Sequence, residues 1–133
     1  MAGFFALAAP AHAIDCGKAG SAVEKLICSD RKTVAADAEL NRAYSAILKQ
    51  APDADIRAML AHNQKRWLLA RDQALANLLE DPGSVPAGKT AAGIARDLIR
   101  DRTAQFKETR KGAALPDMIS LAVSQQQFQA QFT

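Results

Sequence analysis

The segment Gly83-Ser-Val-Pro-Ala-Gly-Lys-Thr90 satisfies the written phosphate-loop pattern G-x-x-x-x-G-K-[ST] in full. That chemistry needs a buried strand before the loop, so that its backbone amides wrap phosphates at the start of the next helix. What precedes it is Ala74-Leu-Ala-Asn-Leu-Leu-Glu-Asp81, which reads as a helix end, and no later apolar run closes on an aspartate that could hold magnesium. The segment is therefore read as an interhelical loop whose Thr90 caps the following helix, and no nucleotide is expected.

Nucleophilic and metal chemistry find less. His12 and His62 are the only histidines, no G-x-S-x-G accompanies them, and neither CxxC nor HExxH occurs. Two cysteines and one retained histidine cannot close a four-ligand zinc site. The 14 acidic residues are spread like solvated helix faces, with no glycosidase-like pair standing out. No cofactor, no metal and no enzymatic activity are expected.

Cys16 and Cys28 can be a catalyst, a metal site or a staple, and the choice depends on compartment. The first thirteen residues are apolar and end in Ala11-His12-Ala13, the small-x-small form of a signal-peptidase site. Cleavage after Ala13 would leave a chain starting at Ile14; the alternative is a short apolar arm packed on the domain. No Lys or Arg precedes the run, which leaves room for a start upstream of Met1. The run is too short to span a bilayer. Ile14 and Asp15 stand where a lipobox needs small neutral residues, so Cys16 is not read as a lipidation site. The expectation is a secreted or periplasmic protein without a transmembrane segment. In an oxidising compartment the cysteine pair is expected to bridge, with free or redox-active thiols as the alternative. A bridge across so short a loop contributes about 3 kcal/mol in the chain-entropy treatment.

The elements that must position these residues are helical. At 133 residues, with 5% aromatics and much alanine and leucine, the chain suits one all-α domain. Ser21-Ala-Val-Glu24 is a capping box opening a two-turn helix to Cys28. Ser29 or Asp30 starts a second helix, with Ala36, Leu40, Tyr44, Ile47, Leu48 and Ala51 on one face, broken at Pro52-Asp53. A third runs from Asp53 or Ala54 to Leu79 or Glu80, burying Ile56, Leu60, Trp67, Leu68, Leu75, Leu78 and Leu79. A fourth spans roughly Thr90 to Thr109 on Ile94, Leu98, Ile99 and Phe106. Beyond Gly112 the chain is nearly uncharged and glutamine-rich; Met118 to Val123 forms one more helix or the tail is disordered. The fold expected is a small disulfide-stapled bundle of about four helices, with a long antiparallel pair formed by helices two and three. The domain occupies residues 14–110 and the tail 111–133.

A turn centred near Pro52 sets Tyr44 against Leu60, Asn41 against Gln64 and Asp37 against Trp67. Gln64 and Arg71 then share the stripe of Leu60 and Trp67, and Asp37 and Asn41 that of Leu40 and Tyr44. A buried polar group without a partner costs on the order of 1–3 kcal/mol. A bonded network is therefore expected, with Arg71 paired to Asp37 or Glu24. Trp67 is read as core and the polar residues as structural.

These residues resemble a known family. Cys16, Ser21-x-x-Glu24-x-x-Ile27-Cys28, Asp37-x-x-Leu40-Asn41-x-x-Tyr44 and Gln64-x-x-Trp67-Leu68-x-x-Arg71-Asp72 are similar to the N-terminal domain of the lysozyme inhibitor LprI family, over about residues 15 to 106. Members commonly carry a further cysteine just after the Arg-Asp pair and a partner downstream. Here Gln73-Ala74 follow and no third cysteine exists, consistent with the loss of one disulfide and retention of the first. The resemblance implies a small secreted helical module that binds and inhibits a muramidase. A cleft bearing two catalytic carboxylates could accept a Lys or Arg, and Arg31, Lys32, Lys65 and Arg66 are the candidates. A net charge of +3 opposes long-range attraction to basic lysozymes. The second reading is a non-inhibitory structural or accessory envelope protein that binds peptidoglycan or a periplasmic partner. Charges of both signs are interspersed without a basic, aromatic-laced stripe, so nucleic-acid binding is not expected.

Overall fold

The computed structural model describes residues 13–132 and is all-helical, with no strand among them. The leader expected over residues 1–13 lies outside the described residues, apart from Ala13. A single 3-10 turn (Cys16–Lys18) leads into α1 (Ala22–Cys28), α2 (Arg31–Gln50), α3 (Ala54–Glu80), α4 (Ala91–Lys107) and α5 (Asp117–Ala130). Each of the first four helices begins at a side-chain cap. The Ser21 hydroxyl accepts from Glu24 N–H, Asp30 from Thr33, Asp53 from Ile56 and Thr90 from Gly93. Cys16 and Cys28 are joined by a disulfide that closes α1 onto the preceding turn.

The tightest helix pair is α2 with α4, which run side by side in the same direction. Near their starts the Thr33 hydroxyl donates to the Ala92 carbonyl at 3.2 Å, and Arg96 meets Asp30 at 2.8 Å. Near their ends the Tyr44 and Phe106 rings lie 5.7 Å apart. α3 returns antiparallel to both. Its Arg71 faces Asp37 in the first half of α2, while Ala58 and Ala61 lie by Tyr44 further along. α1 contributes Val23 and Ile27 to the core. α5 lies along the first half of α3, burying Ile119 and Ala122.

Three expectations are corrected. The glutamine-rich tail is helical from Asp117 to Ala130, well beyond Met118 to Val123, although its contacts with the core, through Met118, Ile119, Ala122 and Val123, fall within that shorter span. On α4 the buried stripe is Ala95, Ile99, Arg102, Thr103 and Phe106, and Ile94 sits at its margin. Asp37 meets Arg71, as the expected network had it, whereas Trp67, which the turn geometry set against Asp37, has its ring beside Arg102 of α4 and Arg71.

The phosphate-loop match lies between two helices. Asp81 ends α3, Pro82–Ser84 form a 3-10 turn, and Gly88 takes a positive φ of 81° just before the Thr90 cap. The helix-to-helix setting lacks the buried strand on which that chemistry depends.

Candidate functional site

Most of the polar motif residues, scattered over some fifty positions of sequence, converge on one groove, with Tyr44 and Trp67 outside it. Ile14, Ser21, Glu24, Asp37, Leu40, Asn41, Gln64, Leu68, Arg71 and Asp72 line a cavity of about 390 Å³ where α1, α2 and α3 meet. Each helix delivers its part through ordinary periodicity. On α2, Asp37, Leu40, Asn41 and Tyr44 recur at three- and four-residue steps, and on α3 so do Gln64, Leu68 and Arg71. The disulfide and the capping box hold Glu24 at the rim. Its Oε1 accepts from the Gly20 and Ser21 amides at 2.9 and 3.0 Å. Those two amide bonds hold the Glu24 carboxyl below the ordinary carboxylate range.

Asp37 sits at the floor. Its Oδ2 accepts the Ile14 N–H at 2.7 Å, and its Oδ1 lies 3.8 Å from Arg71 Nη1. Burial pushes its pKa up, against the opposing pull of the Ile14 amide and the Arg71 charge. Arg71 makes its short contacts elsewhere, donating from Nε and Nη2 to Asp72 Oδ1 at 3.0 and 2.9 Å. Of the two partners expected for Arg71, Asp37 is the one within ion-pair distance, while Glu24 is engaged by the backbone amides of Gly20 and Ser21. The Asn41 amide donates to the Asp37 carbonyl at 2.9 Å.

Gln64 belongs to a second centre that the sequence reading missed. Arg102 of α4 is 5% exposed, and its Nε donates to Gln64 Oε1 at 2.9 Å. Its Nη2 reaches Asn63 Oδ1 at 2.6 Å and Nη1 reaches Gln105 Oε1 at 3.0 Å. The guanidinium lies 4.6 Å from the Phe106 ring centroid and 5.5 Å from that of Trp67, with Arg71 5.7 Å from the same indole. Trp67 is thus half-buried and approached by two cations, a cation–π arrangement. The signal was present, since Ala95, Ile99, Arg102 and Phe106 recur on one helical stripe, as Gln64 and Arg71 do on theirs.

The four candidate contact cations are exposed and do not form one patch. Lys32 borders a groove with Glu39 and Arg100, and Lys65 borders one with Tyr44 and His62. Arg66 borders a cavity of about 440 Å³ between α3 and α5, with Met59, His62, Met118 and Leu121. Arg31 stands at the first position of α2. On α3, His62, Arg66 and Leu69 share one outward stripe, where Leu69 is 64% exposed, and Leu121 of α5 is 60% exposed. No cluster of three His, Cys, Asp or Glu able to hold a metal occurs among the described residues, and no helix there is long and apolar enough to cross a membrane.

A stapled, cap-defined helical module with its polar motif gathered in one groove defines the class of protein. Residues 15–110 match the profile of the Lysozyme inhibitor LprI family, and the chain belongs to that family. It is also 35% identical over 112 residues to the uncharacterized protein R02472 of Rhizobium meliloti (strain 1021), covering 74% of this chain and 81% of that protein. No solved structure shows a significant match.

Proposed function

We propose that this protein is an exported binding module that inhibits a lysozyme, through the face shared by α3 and α5. Membership of the LprI family over residues 15–110 carries the reading. The chemistry of that face supports it. Arg66 is an exposed cation at a cavity bordered by Met59, Met118 and Leu121, with exposed Leu69 beside it on α3. Arginine set among exposed apolar side chains is the composition of an interface anchor. Its guanidinium suits the paired carboxylates of a muramidase cleft, while Lys65 borders a separate groove with Tyr44 and His62. Arg31 and Lys32 lie at the far end of α2 and act at most as peripheral charges.

The reading is tested by inhibition of lysozyme in a cell-wall turbidity assay. Arg66→Glu should raise the concentration needed for half-inhibition at least tenfold, whereas Arg31→Glu should change it less than threefold. Equal losses would refute the assignment of the face. Retention on purified peptidoglycan with no effect on any lysozyme would replace the reading with an accessory envelope role.

A further inference from the structure

Asp37 is the only acidic residue among the buried described residues, with its side chain 6% exposed. It is poorly compensated where it lies. The charged groups that share its groove are Glu24 from α1 and Arg71 and Asp72 from α3, so three carboxylates face one guanidinium. That guanidinium stands 3.8 Å from Asp37 and gives its short contacts to Asp72. Asn41 and Gln64, also in the groove, are neutral, and Asn41 bonds the Asp37 backbone carbonyl. The Asp15 carboxylate is taken by the Gly17 amide. The closest donor to the buried carboxylate is instead a main-chain nitrogen, that of Ile14, at 2.7 Å. The Ile14 side chain packs against the core and so fixes that nitrogen in place. Ala13, immediately before it, is exposed.

We propose that the Ala13–Ile14 peptide bond is a processing site and that Asp37 is the receptor for the α-ammonium its hydrolysis creates on Ile14. A peptidase catalyses the step. The carbonyl carbon of Ala13 parts from the nitrogen of Ile14 and takes hydroxide from water, while the nitrogen takes the remaining proton. The new acid then gives its proton to the new amine, leaving an Ala13 carboxylate and an Ile14 ammonium. The nitrogen that donated as a neutral amide thereby becomes a cation at the same place, with further N–H donors for the acidic groove. Before cleavage the buried carboxylate is a burden on the fold; afterwards it is half of an ion pair. The proposal rests on the export expected from Ala11-His12-Ala13, and it is independent of whether lysozyme is the target.

The sign of its pH dependence follows from proton linkage. An amine held by a carboxylate has a folded pKa above its unfolded value of about 7.7–8.0. With Asp37 ionised, the amine's stabilisation is present in full below about pH 8 and is lost as the pH rises through the folded pKa; protonation of Asp37 removes it at the acid end.

The protein recovered from the periplasm of a host expressing the full chain is first sized by mass spectrometry, and a chain beginning at Ile14 is expected. That protein is compared with the same chain acetylated at Ile14, which keeps an N–H and removes the charge. The free amine should titrate by NMR at least one unit above the ordinary range. The acetylated chain should melt several degrees lower at pH 7, and the two should converge as the pH rises past the amine pKa. In Asp37→Asn the gap between free and acetylated chains should close. A different start, an amine with an ordinary pKa, or equal melting of the two chains would overturn the proposal. Should Asp37→Asn fail to fold, the amine titration in the unaltered chain decides alone. Loss of lysozyme inhibition would bear on the α3–α5 face and leave these results unchanged.

Discussion

At the scale of residues, two buried guanidinium sites hold the polar interior. Arg71 leans between Asp72 and Asp37 and lies over Trp67, and its side chain is 10% exposed. Arg71→Ala should therefore destabilise the fold by about 1–3 kcal/mol, because it removes the guanidinium that stands beside buried Asp37 and holds Asp72. Arg66→Ala, on the surface, should stay within about 0.5 kcal/mol. Equal melting temperatures for the two variants would mean that the Asp37 contact contributes nothing. Arg102→Leu should cost about 1–3 kcal/mol by stranding the Gln64 and Asn63 carbonyl oxygens. Adding Gln64→Leu should recover part of that loss, since an apolar pair removes the unmet acceptor; chemical denaturation of both variants measures the difference. Polar residues on apolar stripes made Asp37, Gln64 and Arg71 visible in sequence. Arg102 falls in the middle of the face through Ile94, Leu98, Ile99 and Phe106, but an arginine there reads as solvated until the Gln64 and Asn63 oxygens that face it are known.

At the scale of elements, the helix starts were the most legible feature, because a cap is a local event between residues three apart. Ser21 and Thr90 cap the helices expected of them, Asp30 rather than Ser29 opens α2, and Asp53 caps α3 at the expected boundary of Asp53 or Ala54. Capping does not hold α1 in place by itself, for seven residues are too few for an independent helix. The Cys16–Cys28 bridge and the burial of Val23 and Ile27 supply the rest. Replacing both cysteines by serine should lower stability by about 3 kcal/mol and loosen α1 first. Hydrogen exchange should show its amides losing protection ahead of those in α2 and α4; uniform protection would show that the staple is dispensable. The extent of α5 was not legible, because glutamine is a good helix former that gives no sign of whether a tertiary surface awaits it.

At the scale of the molecule, sequence conveyed the antiparallel return of α3 but not the partner that packs most closely. A short turn between α2 and α3 announces adjacency, whereas the α2–α4 contact joins segments about sixty residues apart with no local signature. That packing leaves α3 standing off α2, and the space between them becomes the groove that collects the family motif. The same geometry moves the prospective contact surface to the opposite side of α3, where Arg66, Leu69 and Leu121 are exposed. Net charge of +3 works against capture of a basic lysozyme at long range, so association should rely on this local face and tolerate added salt. The most direct test is stepwise titration of the purified protein, beginning at Ile14, into cell-wall suspensions cleared by several classes of lysozyme. Clearing by at least one class should fall to a plateau near one equivalent of protein. An unchanged rate at large molar excess, with every class, would contradict the account.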